Sequence, residues 1–156
     1  MNLDRYTERS QGLIQEAQQL ALRRNHQKFT PEHVLLTLLE DREGFGTNLI
    51  NAAGGRADDA RQAVELTLDK LPQVEGSGAG NLYLDPAAAR LFDQAEKLAD
   101  KAGDKYVTAE RLLLALTMDQ KSEAAKILTK AGVTPQALNA AIEQVRKGRT
   151  ADTQSA

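Results

Sequence analysis

Thr30-Pro31-Glu32-His33-Val34-Leu35-Leu36-Thr37-Leu38-Leu39 and Thr108-Ala109-Glu110-Arg111-Leu112-Leu113-Leu114-Ala115-Leu116 are one pattern used twice, 78 residues apart. Each begins with a threonine, whose hydroxyl caps a helix by accepting from an otherwise unpaired N–H. Pro31 at the first helical position has no N–H to lose. The glutamate two places after each threonine sits where the helix dipole favours negative charge. The remainder of each stretch is apolar nearly all round, which predicts a short, central, buried helix.

The repeat widens outward from this pair. A longer helix precedes each copy. The first, about 4–24, carries Tyr6, Leu13, Ile14, Ala17, Leu20 and Ala21 on one face. The second starts at Asp85-Pro86, carries Ala88, Leu91, Phe92, Ala95, Leu98 and Ala99, and stops at Gly103. Two shorter helices come after each copy. In the first half they run about 45–53, closed by Gly54-Gly55, and about 57–71, closed by Pro72. In the second they run about 122–131, closed by Gly132, and from the cap Thr134-Pro135 to about 147. Leu13, Ala17, Leu20, Leu35, Leu36, Leu38 and Ala63 all recur 78 residues later as Leu91, Ala95, Leu98, Leu113, Leu114, Leu116 and Ala141. The expected fold is therefore all-α, with two four-helix repeats at about 4–71 and 85–147. A Gly-rich loop, 73–81, joins them, with Gly76, Gly78 and Gly80 interrupting any periodicity. Residues 148–156 are polar and aperiodic and read as the start of a flexible linker.

Composition agrees. Among 156 residues there are 24 Ala and 22 Leu but only six Val and four Ile, a balance that favours helix over strand. With no Cys, a disulfide scaffold, a thiolate zinc site and a thiol nucleophile are all excluded. A formal net charge of −2 argues against nucleic-acid binding through bulk positive charge. No apolar run reaches the ~18–20 residues of a membrane span, and the opening Met1-Asn2-Leu3-Asp4-Arg5 has no apolar signal region. A soluble, cytoplasmic protein is expected.

Catalytic patterns are missing. Gly76-Ser77-Gly78-Ala79-Gly80 is followed by neither Lys-Ser nor Lys-Thr and has no flanking strand, so it is no phosphate loop. His26 and His33 do not form a metal-ligand pair on one helix face and read as ordinary polar residues. Two like halves leave a junction, and a groove between helices suits a peptide or exposed apolar side chains. Glu32 and Glu110 stand at related places beside it, as helix-start charges or as acceptors for a bound chain. Asp104 adds a charge at the same rim, Thr7 is polar near the first helix start with no evident structural duty, and Phe92 and Tyr106 are candidate lining residues or core.

Leu3-Asp4-Arg5-Tyr6-Thr7, Leu71-Pro72-Gln73-Val74-Glu75-Gly76-Ser77-Gly78, Gly103-Asp104-Lys105-Tyr106-Val107 and Arg146-Lys147-Gly148-Arg149-Thr150 together resemble the N-terminal domain of Clp-family protein disaggregases of the ClpB type. The resemblance implies eight helices with pseudo-twofold symmetry over 1–147, tethered through 148–156 to ATPase modules outside this chain. It implies engagement of unfolded or aggregated polypeptide, a homohexameric full-length protein that cooperates with a DnaK-type chaperone system, and a monomeric isolated domain. It carries substrate contact onto Thr7, Asp104 and Glu110, and, through related Clp N-domains, onto Glu32 and Glu110. No cofactor is expected in this segment; ATP belongs to the other modules. The alternative is a docking platform for a folded adaptor or a regulatory cap on the ring.

Overall fold

The computed structural model describes residues 2–75 and 80–156. The centre of the predicted loop, 76–79, lies outside the described residues. Among the described residues, eight helices occur in order: α1 (Glu8–Arg23), α2 (Pro31–Leu39), α3 (Phe45–Ala52), α4 (Ala57–Asp69), α5 (Pro86–Ala102), α6 (Ala109–Leu116), α7 (Glu123–Lys130) and α8 (Pro135–Arg146). Their cap residues show the duplication at single-residue precision. Thr7 and Asp85 cap α1 and α5, Thr30 and Thr108 cap α2 and α6, Gly44 and Ser122 precede α3 and α7, and Arg56 and Thr134 precede α4 and α8. Every pair is 78 residues apart.

The first helix starts later than its periodicity predicts. Leu3–Arg5 forms a 3-10 turn instead. Thr7 then opens the α-helix by accepting from the Ser10 N–H at 3.2 Å and donating to the Ser10 hydroxyl at 2.9 Å. A capping hydroxyl satisfies a donor that the first turn leaves orphaned, and that fixes the boundary.

The halves interlock. α4 packs on α7 and, across the pseudo-twofold axis, α3 packs on α8. Two short parallel pairings obey the same symmetry. β1 (Lys28–Phe29) pairs with β2 (Tyr83–Leu84), and Tyr6 bridges Val107. Tyr6 and Leu84, like Phe29 and Val107, are 78 apart. One hydrophobic core runs through both repeats, from Tyr6 and Leu35 to Leu113 and Ile142, built largely of Leu and Ala as the composition requires. Helices pack closely where small residues let them. A Cβ on Gly46 of α3 would lie 2.5 Å from the Leu38 carbonyl oxygen of α2.

The tail departs from the linker reading. Residues 148–154 lie back on the domain, and Ala151 is buried. The repeat explains it. Ala151 stands 78 residues after Gln73, which bridges His26 in the first half, and His26 is the counterpart of Asp104. The tail thus repeats what the chain does after α4.

Candidate functional site

Two regions bear on the expected site. The first is a groove of about 760 Å³ along the seam of α4 and α7. Ala63, Leu66 and Ile127 line it, with Leu66 63% exposed; Asp59 and Glu123 stand with Lys126 and Lys130 around them. An apolar strip with charges of both signs at its edge can hold an apolar chain segment and accommodate varied flanking charge. The junction groove expected from two like halves is therefore present, but none of Thr7, Asp104, Glu110, Glu32, Phe92 and Tyr106 lines it.

The second region gathers four of those six residues around the tail. Asp104 follows the left-handed Gly103 cap of α5. Arg111 projects from the first turn of α6 and Arg146 from the last turn of α8. Arg146 Nη1 donates to Asp104 Oδ1 at 2.6 Å, its Nε to Glu110 Oε2 at 3.0 Å and its Nη2 to Thr108 Oγ1 at 2.8 Å. Arg111 Nε donates to Asp104 Oδ2 at 3.2 Å and also pairs with Glu143. Burial by itself would raise the Asp104 pKa. Hydrogen bonds from Arg146, the Ala151 amide and Arg111 outweigh it and hold the carboxyl below its ordinary value. Tyr106 is half-buried beside this cluster, and Thr7 reaches it through its N–H, which donates to the Val107 carbonyl at 3.0 Å. A cavity of about 270 Å³ remains between the cluster and the tail, lined by Thr108, Glu110, Val145, Arg146, Arg149 and Ala151 among others.

The first repeat answers the same positions with different chemistry. His26, His33 and Leu68 occupy the places of Asp104, Arg111 and Arg146. The Thr30 N–H donates to His33 Nδ1 at 3.0 Å, so the ring proton resides on Nε2 and is donated to His26 Nδ1 at 2.9 Å. Burial, with the neighbouring His26 and Arg24 charges, lowers the His33 pKa to about 3; burial and Arg24 lower that of His26. Both rings are neutral core groups. The sequence alone presents them as ordinary polar residues because their pairing depends on the turn between α1 and α2, which has no local signature.

Four expected roles need correction. Phe92 lines no groove: it is 2% exposed, stacked on Phe29 at 6.2 Å and edge-on to Tyr6 at 6.3 Å, because its helix face meets the core. Thr7 has a structural duty after all, as the buried cap of α1. Asp104 is buried under two arginines and does not stand free at a rim. Glu32, expected beside the groove, is buried at the start of α2, with no partner for its Oε2 atom among the described residues. Burial raises its pKa to about 7, Asp85 and Glu123 add to this, and the Ala124 N–H at the start of α7 opposes it. Glu110 alone of the charged candidates keeps a partly open carboxylate at the cavity edge.

Comparison with known proteins agrees with this architecture. The chain is 58% identical over its whole length to the chaperone protein ClpB of Rhodopseudomonas palustris, and 56% identical to that of Mesorhizobium japonicum. It spans 18% of the length of each. The N-terminal domain of Hsp104 from Candida albicans superposes with a TM-score of 0.81 over 96% of both chains, at 21% identity. The N-terminal domain of the ClpV1 ATPase from an enteroaggregative E. coli type VI secretion system superposes with a TM-score of 0.74 at 26% identity, over 95% of this chain and 89% of that one. The profile of the Clp repeat N-terminal domain matches residues 5–131, which takes in both copies of the buried helix and ends just after α7. By that match and by its doubled four-helix unit, the chain belongs to the Clp repeat N-terminal domain family.

Proposed function

We propose that the chain is the polypeptide-engaging N-terminal domain of an ATP-dependent cytoplasmic chaperone that disaggregates denatured proteins. The 58% identity to a ClpB chaperone across the whole chain carries this reading. The seam groove of α4 and α7, with Leu66 exposed in its wall, supports it as a place for apolar segments of a client. Thr7, Asp104, Glu110 and Tyr106 act at the second region, and Glu32 acts at the packing of α2 on α7. The domain contributes binding and no bond chemistry; ATP hydrolysis belongs to modules elsewhere in a longer, homohexameric protein that works with a DnaK-type system. Binding is weak, since a small groove buries little apolar area against the several kcal/mol that association costs.

Fluorescence anisotropy with one labelled protein in two states tests this. The chain binds reduced, carboxymethylated lactalbumin and leaves native lactalbumin free. Preference for the native form would turn the reading into that of a docking platform for folded adaptors.

A further inference from the structure

The tail that folds back over the second repeat behaves as a ligand would. Both the Lys105 N–H and the Tyr106 N–H donate to the Ala151 carbonyl, at 2.9 and 3.1 Å. The Ala151 N–H donates to Asp104 Oδ1 at 3.0 Å. Three residues on, the Glu8 N–H donates to the Gln154 carbonyl at 2.7 Å, and the Gln154 side chain donates to the Asp4 carbonyl at 2.8 Å. Nearer the start of the tail, the Arg149 guanidinium donates to the Arg146 and Val145 carbonyls, and Arg146 Nη1 donates to the Arg149 carbonyl. Around Ala151 itself the groups engaged are backbone apart from the Asp104 carboxylate, so this part of the slot reads chain rather than sequence. Of residues 148–154, only Ala151 is buried, at 2% exposure.

The slot is larger than its occupant. The cavity of about 270 Å³ beside Ala151 holds space for a side chain bigger than a methyl group, and Val145 on its wall is 56% exposed. The equivalent slot in the first repeat is held differently. There the Val74 N–H donates to the Asn25 carbonyl at 2.8 Å, and His26 stands where the second repeat has the Asp104 carboxylate that accepts from the Ala151 N–H. The second slot is therefore bordered by an ion cluster, Asp104 with Arg111 and Arg146, whose members all lie on the body of the domain. A handful of hydrogen bonds and one buried methyl group oppose the backbone entropy of several ordered residues, opposing quantities of similar size.

We propose that residues 148–154 are a displaceable strap in a binding slot for extended polypeptide, so that an unfolded client and the strap compete for the N–H groups of Lys105, Tyr106 and Glu8. This rests on the polypeptide-binding reading above and adds to it a second, backbone-reading site and its regulation. It also assigns roles to the buried polar residues. Arg146 and Arg111 position Asp104, Asp104 receives the N–H of the incoming chain, and Glu110 fixes Arg146. The tethered strap lowers the apparent affinity for a client by the fraction of time the slot is open.

The test compares three forms of the chain: the 156-residue protein, Ala151→Pro, which removes the N–H that Asp104 accepts, and a chain ending at Lys147. Amide hydrogen exchange reads the strap, and anisotropy with reduced, carboxymethylated lactalbumin reads binding. In both altered forms the Lys105 and Tyr106 amides lose protection while those of α2 and α6 keep it. Both bind the unfolded probe about tenfold more tightly, the gain expected where a strap is closed nine-tenths of the time. A synthetic peptide of residues 148–156 added to the shortened chain restores the weaker binding. Unchanged protection of Lys105 and Tyr106, or unchanged or weaker probe binding in both altered forms, overturns the strap. If the altered forms gain nothing while the 156-residue chain still binds the probe, the strap fails and the polypeptide-binding reading stands; if no form binds, both fall.

Discussion

At the scale of single residues, the two repeats place different titratable groups at matching positions, and pH separates them. His33 titrates near 3 in the fold against 6.5 when free, so the unfolded chain binds the extra proton first on acidification. Stability is full above about pH 6.5 and falls progressively toward pH 3, by ~4 kcal/mol from this residue. Glu32 acts in the opposite sense. Its folded value of about 7 lies above the free 4.5, so its contribution is full at low pH and is lost as pH rises through 7. Glu32→Gln, which keeps the shape and removes the charge, is expected to raise the urea midpoint at pH 8 by the equivalent of ~2–3 kcal/mol and to change little at pH 5. An equal effect at both pH values would remove the buried carboxylate from the explanation. The type and position of these residues are legible in the sequence. Their burial is not, because Glu32 is covered by the start of α7, about 90 residues away in the chain, and no local pattern reports that.

At the scale of elements, the helix starts are the most legible feature. Thr30-Pro31, Asp85-Pro86 and Thr134-Pro135 each combine a capping side chain with a residue that lacks an N–H. Periodicity misplaces the α1 start because apolar spacing continues back to Tyr6, while the Thr7 cap carries no proline to mark it. The strap has no local signal because pairing of residue 151 with 104–106 is nonlocal, although the offset of 78 already carries the segment after α4 onto it. Two substitutions test the packing. Gly46→Ala forces a methyl group into the Leu38 carbonyl where α3 crosses α2, and should cost ~1–3 kcal/mol by thermal or urea unfolding. Asp104→Ala leaves Arg111 and Arg146 buried without their shared partner, at a cost of ~3 kcal/mol or more. Replacing the whole cluster with its first-repeat counterpart, by Asp104→His, Arg111→His and Arg146→Leu together, should recover most of that loss, since an intact buried ion cluster contributes little net stability over a well-packed substitute. A triple variant less stable than Asp104→Ala would show that the repeats are not interchangeable at this position.

At the scale of the whole molecule, duplication produces two outcomes. The cores merge, because α4 packs on α7 and α3 on α8, so the halves fold as one body. The outer surface of one such packing stays open as the groove of Ala63, Leu66 and Ile127. The repeat pattern implies a junction, but only the packed helices show which side chains leave the core to line it: Leu66 faces outward while Phe92, an equally apolar choice, faces in. The central claim is that this open seam engages unfolded chain. The most direct measurement is a titration of the isotopically labelled 156-residue chain with reduced, carboxymethylated lactalbumin, followed residue by residue in heteronuclear NMR spectra. The account predicts saturable shifts at Ala63, Leu66, Ile127 and Lys130, and none with native lactalbumin. Silence along α4 and α7 at saturating unfolded protein, or the same shifts with the native form, would contradict it.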